Sequence, residues 1–248
     1  DLAAEDPFVY AAVAKDAKQA AEYWEDRHRL SAIAKRTSGF KMNEDVVLPM
    51  GRIPEFARYL EVLNVVAAAE AYRFALQELL RLQGFPMDDA EFSAEFSFAS
   101  HVAASDESNI DPQLTDEAVA ERAERWLEAQ KERFPRLASR IESILSYMRS
   151  SRIIVASHMH AGDGNCHVNI PVNSNDPRMI EHAEDVAMQV MAKTQELDGA
   201  VSGEHGIGIA KAPWFPAAIG PTAMETHRAI KQALDPLRIL NPGKMNLD

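Results

Sequence analysis

The chain has 248 residues, with 26 Lys and Arg against 38 Asp and Glu, a formal net charge of −12. That balance offers no basic face to nucleic acid or to an anionic membrane surface. A single cysteine, Cys166, excludes an internal disulfide scaffold, and 46% hydrophobic residues exclude a disordered chain. The apolar runs are short and broken by charge, so no transmembrane segment is expected, and no signal-peptide pattern is present.

In chain order, Pro7 to about Lys35 reads as an Ala-rich helix stopped by Ser38-Gly39. Asp45 to Met50 reads as a short β-branched strand. Pro54 at a helix start and Gly84 at its stop bound a long helix, apolar around much of its circumference. Gly84 to Leu114 reads as irregular, with Glu91–Phe98 a possible strand because Phe92, Ala94, Phe96 and Phe98 alternate. Thr115-Asp116-Glu117 opens a capped helix to about Phe134. Pro135 breaks it, and Leu137, Ile141, Ile144, Leu145 and Met148 form the stripe of the next segment. Arg152–Ser157 and Cys166–Val172 read as strands, with Asp163-Gly164 as the hairpin signal between them. Asp176–Glu196 is a helix, Gly199–Gly208 a glycine-rich loop, Ala223–Leu234 a helix, and Leu240–Lys244 a tail turn. Strands and helices without regular βαβ alternation give an α+β class.

Eight of the eleven glycines follow position 160, and the chemistry concentrates there. In His160-Ala161-Gly162-Asp163-Gly164-Asn165-Cys166-His167-Val168-Asn169 a hairpin brings two imidazoles together. Strand alternation puts Asn165, His167 and Asn169 on one face and Cys166 and Val168 on the other, so the thiol belongs to the core. His158 shares the face of His160 and is a candidate outer partner. Two imidazoles suit Zn, Mn or Fe, with Zn expected, and a carboxylate as third ligand leaves an open position. Ser202-Gly203-Glu204-His205-Gly206 offers one: Glu204 as ligand and His205 as base. The metal set is therefore His160, His167 and Glu204. A solvated turn with a capping Glu is the bland alternative. Neither a dinucleotide fingerprint nor a P-loop fits the glycine spacing.

The motifs H-A-G-D-G-N-C-H-V-N, S-G-E-H-G-I-G-I-A-K and L-N-P-G-K-M, in that order, resemble the C-terminal domain of FAD-linked oxidases of the vanillyl-alcohol oxidase class. Glycolate oxidase flavin subunits, D-lactate dehydrogenases and D-2-hydroxyglutarate dehydrogenases belong to that class. Trp24-Glu25-Asp26-Arg27 and Asp45-Val46-Val47-Leu48-Pro49 extend the resemblance upstream. It implies a ferredoxin-like α+β substrate domain, its antiparallel sheet covered by helices, spanning residues 1–248. A helical insertion is expected at about 84–150. An N-terminal FAD-binding domain is implied as partner and is not expected within these residues. Carried over, His160, His167 and Glu204 match the metal ligands and His205 the catalytic base. Arg27, Ser31, Lys41 and Asn169 match substrate-binding positions, and Asn165, Asn169 and Asn241 cofactor-side positions. For Arg27 a surface ion pair with Glu22 or Asp26 is an equal alternative. The implied reaction takes a hydride from C2 of a small 2-hydroxy acid to FAD, and an iron–sulfur module is a candidate electron acceptor. The expected location is cytoplasmic, with peripheral attachment at the inner membrane through a partner. Two other classes stay open: a metal-dependent hydrolase with His205 or Asp163 activating water, and a non-catalytic lid or assembly module.

Overall fold

A computed structural model of the chain describes residues 14–21, 40–86, 89–160 and 162–247. The chain divides into two compact units, Asp1–Gly39 and Phe40–Asp248. In the first, residues 17–21 form a helical turn. The rest of the helix expected between Pro7 and Lys35 lies outside the described residues, and so do Arg27 and Ser31.

In the second unit three strands form an antiparallel sheet in the order β1 (Phe40–Val47), β3 (Asn165–Val172), β2 (Ala156–His160). The α+β class read from the sequence holds. β1 begins earlier than the expected Asp45 and ends at Val47, because Pro49 cannot donate to a ladder and a 3-10 turn starts at Met50. β2 is displaced from the expected Arg152–Ser157. Ile153 and Val155 are buried but belong to no strand, and their neighbour is a helix. The Asn64 side chain brackets Val155, accepting its N–H at 2.7 Å and donating to its carbonyl at 2.9 Å. An amide side chain thus does what a neighbouring strand would do, and no ladder forms there.

Helix α1 (Ile53–Leu80) opens with Pro54 in its first turn. Its 28 residues reach about 42 Å at 1.5 Å per residue, long enough to serve separate cores. Phe56, Leu60, Leu63 and Ala67 recur at helical spacing and pack with the inner face of the sheet. That face carries Val46, Cys166, Val168 and Ile170, and α5 (Pro177–Glu196) covers it with Ala183, Val186, Val190 and Met191. Each such fully buried aliphatic or aromatic side chain contributes about 1.5–3 kcal/mol.

The second half of α1 packs elsewhere. Tyr72, Ala75, Leu76 and Leu79 meet α2 (Ala90–Ala103), α3 (Asp116–Arg133) and α4 (Ala138–Ser151) through Phe92, Ala99, Ala123, Leu127, Ile141 and Leu145. The segment read as a possible strand, Glu91–Phe98, is the body of α2. The Asp89 carboxylate caps it by accepting the N–H groups of Glu91 and Phe92. Phe92 and Phe96, four apart, then stack at 6.0 Å. Alternating phenylalanines were satisfied equally by one helix face, and the cap decided the matter. The Glu95 carboxylate accepts from Tyr72 on α1 and from both nitrogens of an Arg122 fork on α3, tying the three helices together. α5 fills the helix expected over Asp176–Glu196, and the Asp176 carboxylate caps it by accepting the N–H groups of Arg178 and Met179. The last helix, α6 (Phe215–Leu234), starts before the expected Ala223 but breaks at Gly220 before Pro221, so its second part is the expected one.

Candidate metal and catalytic site

The outer face of the sheet is built of polar side chains in register. Asp45 pairs with His167, which pairs with His158; Asn43 pairs with Asn169; His160 pairs with Asn165. Lys41 is on the same face of β1, exposed and opposite Pro171. Period-two alternation is the whole reason: the residues between these, Met42, Val46, Cys166, Val168 and Met159, face the core. Burial accordingly pushes the Cys166 thiol up to about 11, which removes it as a ligand.

The rings converge. His167 stacks on His158 at 4.8 Å and on His205 at 5.1 Å, and His160 meets its edge at 5.5 Å. Nε2 of His167 lies 3.0 Å from Oε1 of Glu204. One ligating atom each from Asp45, His167, Glu204 and His205 lies within 4.8 Å of the others. Asp45 and His167 are buried, whereas Glu204, His205 and His160 are exposed, so the cluster has a closed floor and an open mouth.

The loop Ser202–Gly206 is held over the sheet by Asp45. Its Oδ2 accepts the backbone N–H groups of Gly203, Glu204 and His205 at 2.8 Å each, and the Ser202 hydroxyl at 3.3 Å. Burial alone would raise the Asp45 carboxyl. The donors at His205, Glu204 and Gly203, together with the charge of Lys211, outweigh it and hold the carboxyl below the ordinary range. Lys211 is buried and donates to the Asp45 backbone carbonyl, with Glu44 at 4.0 Å. Burial draws its ammonium below the usual lysine value against the pull of Glu44 and Asp45, and burial raises Glu44. Gly203 is required by space. A Cβ there would lie 2.4 Å from Oδ1 of Asn165 and 2.8 Å from Oδ1 of Asp45. The Asp163-Gly164 turn is likewise pinned: Gly164 has φ +77° and sits against the Leu48 carbonyl, where a Cβ would lie at 2.1 Å.

Of the residues singled out in the sequence, the structure brings His167, Glu204 and His205 together with Asp45; His160, Asn165 and Asn169 lie on the same sheet face, but expected ligand His160 is not among the four converging donors. Asn169 bonds His158 through Nδ2 to Nδ1 at 3.2 Å. Asn241 sits on the C-terminal turn with φ 48°, lining a separate cavity of about 520 Å³ with His227, Lys231 and Leu240. Asp45 and Lys211 were not anticipated. The available signal was an acidic pair inside a β-branched run, since alternation must bury one of Glu44 and Asp45. The donor set fits a divalent cation: imidazole and carboxylate atoms of His167, Glu204 and His205 converge above buried Asp45, with Nε2 of His167 facing Oε1 of Glu204 at the open mouth.

The family described as FAD linked oxidases, C-terminal domain, matches residues 1–75 and 115–245. The chain belongs to this family. Residues 76–114, which hold α2 and the end of α1, lie between the two matched parts of the FAD-linked oxidase domain. Among curated proteins, it is 33% identical over 109 residues to glycolate oxidase subunit GlcD of Bacillus subtilis, covering 44% of this chain and 23% of that one. It is 40% identical over 114 residues to D-lactate dehydrogenase of Anaerostipes hadrus, covering 43% and 24%. With glycolate oxidase subunit GlcD of Escherichia coli it shares 36% over 104 residues, covering 42% and 21%. The chain thus spans about a quarter of the length of these relatives. Among the described residues, no helix of this FAD-linked oxidase domain is long and apolar enough to cross a membrane.

Proposed function

We propose that this chain is the substrate-side domain of a flavin-dependent 2-hydroxy acid dehydrogenase or oxidase, working with an N-terminal FAD-binding domain. The observation that carries the reading is the convergence of His167, Glu204 and His205 over buried Asp45, in a chain of this family. In this reading His160, His167 and Glu204 hold a divalent cation, Zn foremost and Mn or Fe as alternatives. When bound, the cation supplies a Lewis acid that lowers the pKa of the substrate hydroxyl. FAD, when bound, supplies the acceptor for the electron pair of the C2–H bond, taken as hydride. The remaining work belongs to side chains of this chain. A ring nitrogen of His205, exposed beside Glu204, accepts the hydroxyl proton. Lys41 and Asn169 share the sheet face on which the substrate carboxylate would lie, and Arg27 and Ser31 are assigned to bind that carboxylate by the family resemblance. Asn165 and Asn169 are assigned to the flavin side, and Asn241 with them. The names of the relatives, glycolate oxidase and D-lactate dehydrogenase, support a small 2-hydroxy acid as substrate.

Residues 84–150 are assigned as an inserted helical segment packed on the second half of α1; of these, 84–114 fall in the unmatched stretch and 115–150 within the family match. The setting proposed is the cytoplasm or its face of the inner membrane, with an iron–sulfur module accepting electrons. On its own the 248-residue chain is expected to be colourless and inactive toward hydroxy acids, because the FAD phosphates belong to the other domain. The hydrolase reading loses its ground with the family assignment.

Metal analysis of the chain, and kinetics of the same variants joined to the N-terminal FAD-binding domain, test the roles. Stoichiometric divalent metal should survive His205→Ala while kcat with glycolate or D-lactate falls about 10²–10⁴-fold. Glu204→Ala should lose metal and activity together. Metal lost from His205→Ala and kept by Glu204→Ala reverses the two roles, and a wild-type chain that takes up no added zinc ends the cation reading.

A further inference from the structure

Asp45 is fully buried, and its two oxygens have different tasks. Oδ2 is saturated by the three N–H groups that hold Glu204 and His205 in place. Oδ1 has no hydrogen-bond partner and faces Nδ1 of His167 at 3.6 Å, beyond bonding distance, and that nitrogen is also buried and unpartnered. The other ring nitrogen, Nε2, lies 3.0 Å from Oε1 of Glu204. A neutral imidazole has one N–H to place. Nε2 faces Glu204 and the open mouth of the cluster, and ligation through it needs that nitrogen bare, which leaves the N–H on Nδ1. The atom waiting there is Oδ1 of Asp45.

We propose that Asp45 is the positioning residue of this centre, accepting Nδ1–H of His167 through Oδ1 while Oδ2 anchors Glu204 and His205, so that one buried carboxylate sets both ligand-bearing segments. The proposal rests on the divalent-cation reading above. A carboxylate behind an imidazole fixes the ring's tautomer and orientation and raises its basicity toward the metal. Here the carboxylate also fixes the backbone of the second ligand, a coupling that needs the acid on β1, the histidine on β3 and the loop above them. The conservative variant separates the two tasks. In Asp45→Asn the amide oxygen still accepts from the loop. The amide NH₂ then donates to Nδ1, leaving the proton on Nε2, where it blocks ligation.

The test uses the 248-residue chain and zinc. Competition with a chromophoric chelator should show zinc affinity about 10–100-fold weaker in Asp45→Asn than in wild type. Proton–nitrogen NMR of the zinc-loaded wild type should show an exchange-protected Nδ1–H on His167 that is absent from the variant, a signature a purely structural role for Asp45 does not produce. Equal zinc affinity in the two proteins overturns the proposal. So does a zinc-loaded wild type whose His167 carries its proton on Nε2, a measurement that stands even if the variant does not fold. Should His167→Ala bind zinc as wild type does, the cation reading itself is at fault. Should His167→Ala lose zinc while Asp45→Asn keeps it, only the role of Asp45 is wrong.

Discussion

Gly203→Ala is the substitution that interrogates the site with the least chemistry. Glycine contributes no functional group, so any effect comes from displacement of its neighbours. The added Cβ would lie 2.4 Å from Oδ1 of Asn165 and 2.8 Å from Oδ1 of Asp45, where contacts under 3.0 Å essentially never occur. The loop must therefore back away by about 0.6 Å, or the two side chains must turn. Neither response is free. Asp45 is locked by three 2.8 Å hydrogen bonds from the very loop that has to move, and Asn165 is buried in β3. Overpacking of this kind typically costs about 1–3 kcal/mol. The larger effect falls on function: misplacing catalytic groups by about 1 Å can cost about 10²-fold in rate. The expected result is a loss of several-fold to about 10²-fold in zinc affinity of the chain and, with the FAD-binding domain joined, in turnover, with the fold retained by circular dichroism. Gly206→Ala is the control, since a Cβ there meets open space and only its φ of +78° is strained, at about 1–2 kcal/mol. A Gly203→Ala protein with wild-type zinc affinity and turnover would refute the claim that the clearance between loop and sheet sets the site.

Other outcomes follow from groups away from the loop. His182 on α5 bonds Glu70 on α1 at 2.7 Å, and that bond, against burial, raises its pKa. A raised folded-state value contributes stability that is full below the unfolded value of about 6.5 and is lost as pH rises through the folded one. Urea midpoints of wild type and His182→Gln should therefore differ most on the acid side and converge in alkali; a constant difference across pH contradicts the assignment. Cys166 should resist iodoacetamide in the native chain near neutral pH and react promptly in denaturant, because burial holds its thiol at about 11. Rapid native labelling would show that the inner sheet face opens readily. Tyr72→Phe should destabilise the helical segment by about 0.5–1.5 kcal/mol, the worth of its hydrogen bond to Glu95, measured by chemical denaturation. No change would mean that the Arg122 fork alone satisfies Glu95.

Period and punctuation were legible along the chain. The long helix with Pro54 at its start, the capped helix opening at Thr115, the helix over Asp176–Glu196, the Asp163-Gly164 turn and the burial of Cys166 all follow from local rules. The approach of His167, Glu204 and His205 follows a hairpin and a glycine-bounded loop that the sequence marks, whereas His160 is not among the converging donors and buried Asp45 is. Where one segment satisfies two periods, local reading stopped. Glu91–Phe98 alternates like a strand, yet Asp89 caps it into a helix and the hydrophobic face of α1 receives its phenylalanines. Ile153 and Val155 look like strand residues, yet Asn64 satisfies the backbone of Val155 from a helix 91 positions away in sequence. Asp45 shows the same limit at the site. Nothing near it in sequence says that its carboxylate will meet three N–H groups some 160 residues later. Strand pairing puts it under His167, and burial away from water makes those hydrogen bonds worth forming. Which residue types carry the chemistry is a property of the sequence; which buried group holds them in place is decided only when distant segments close on one another and exclude water.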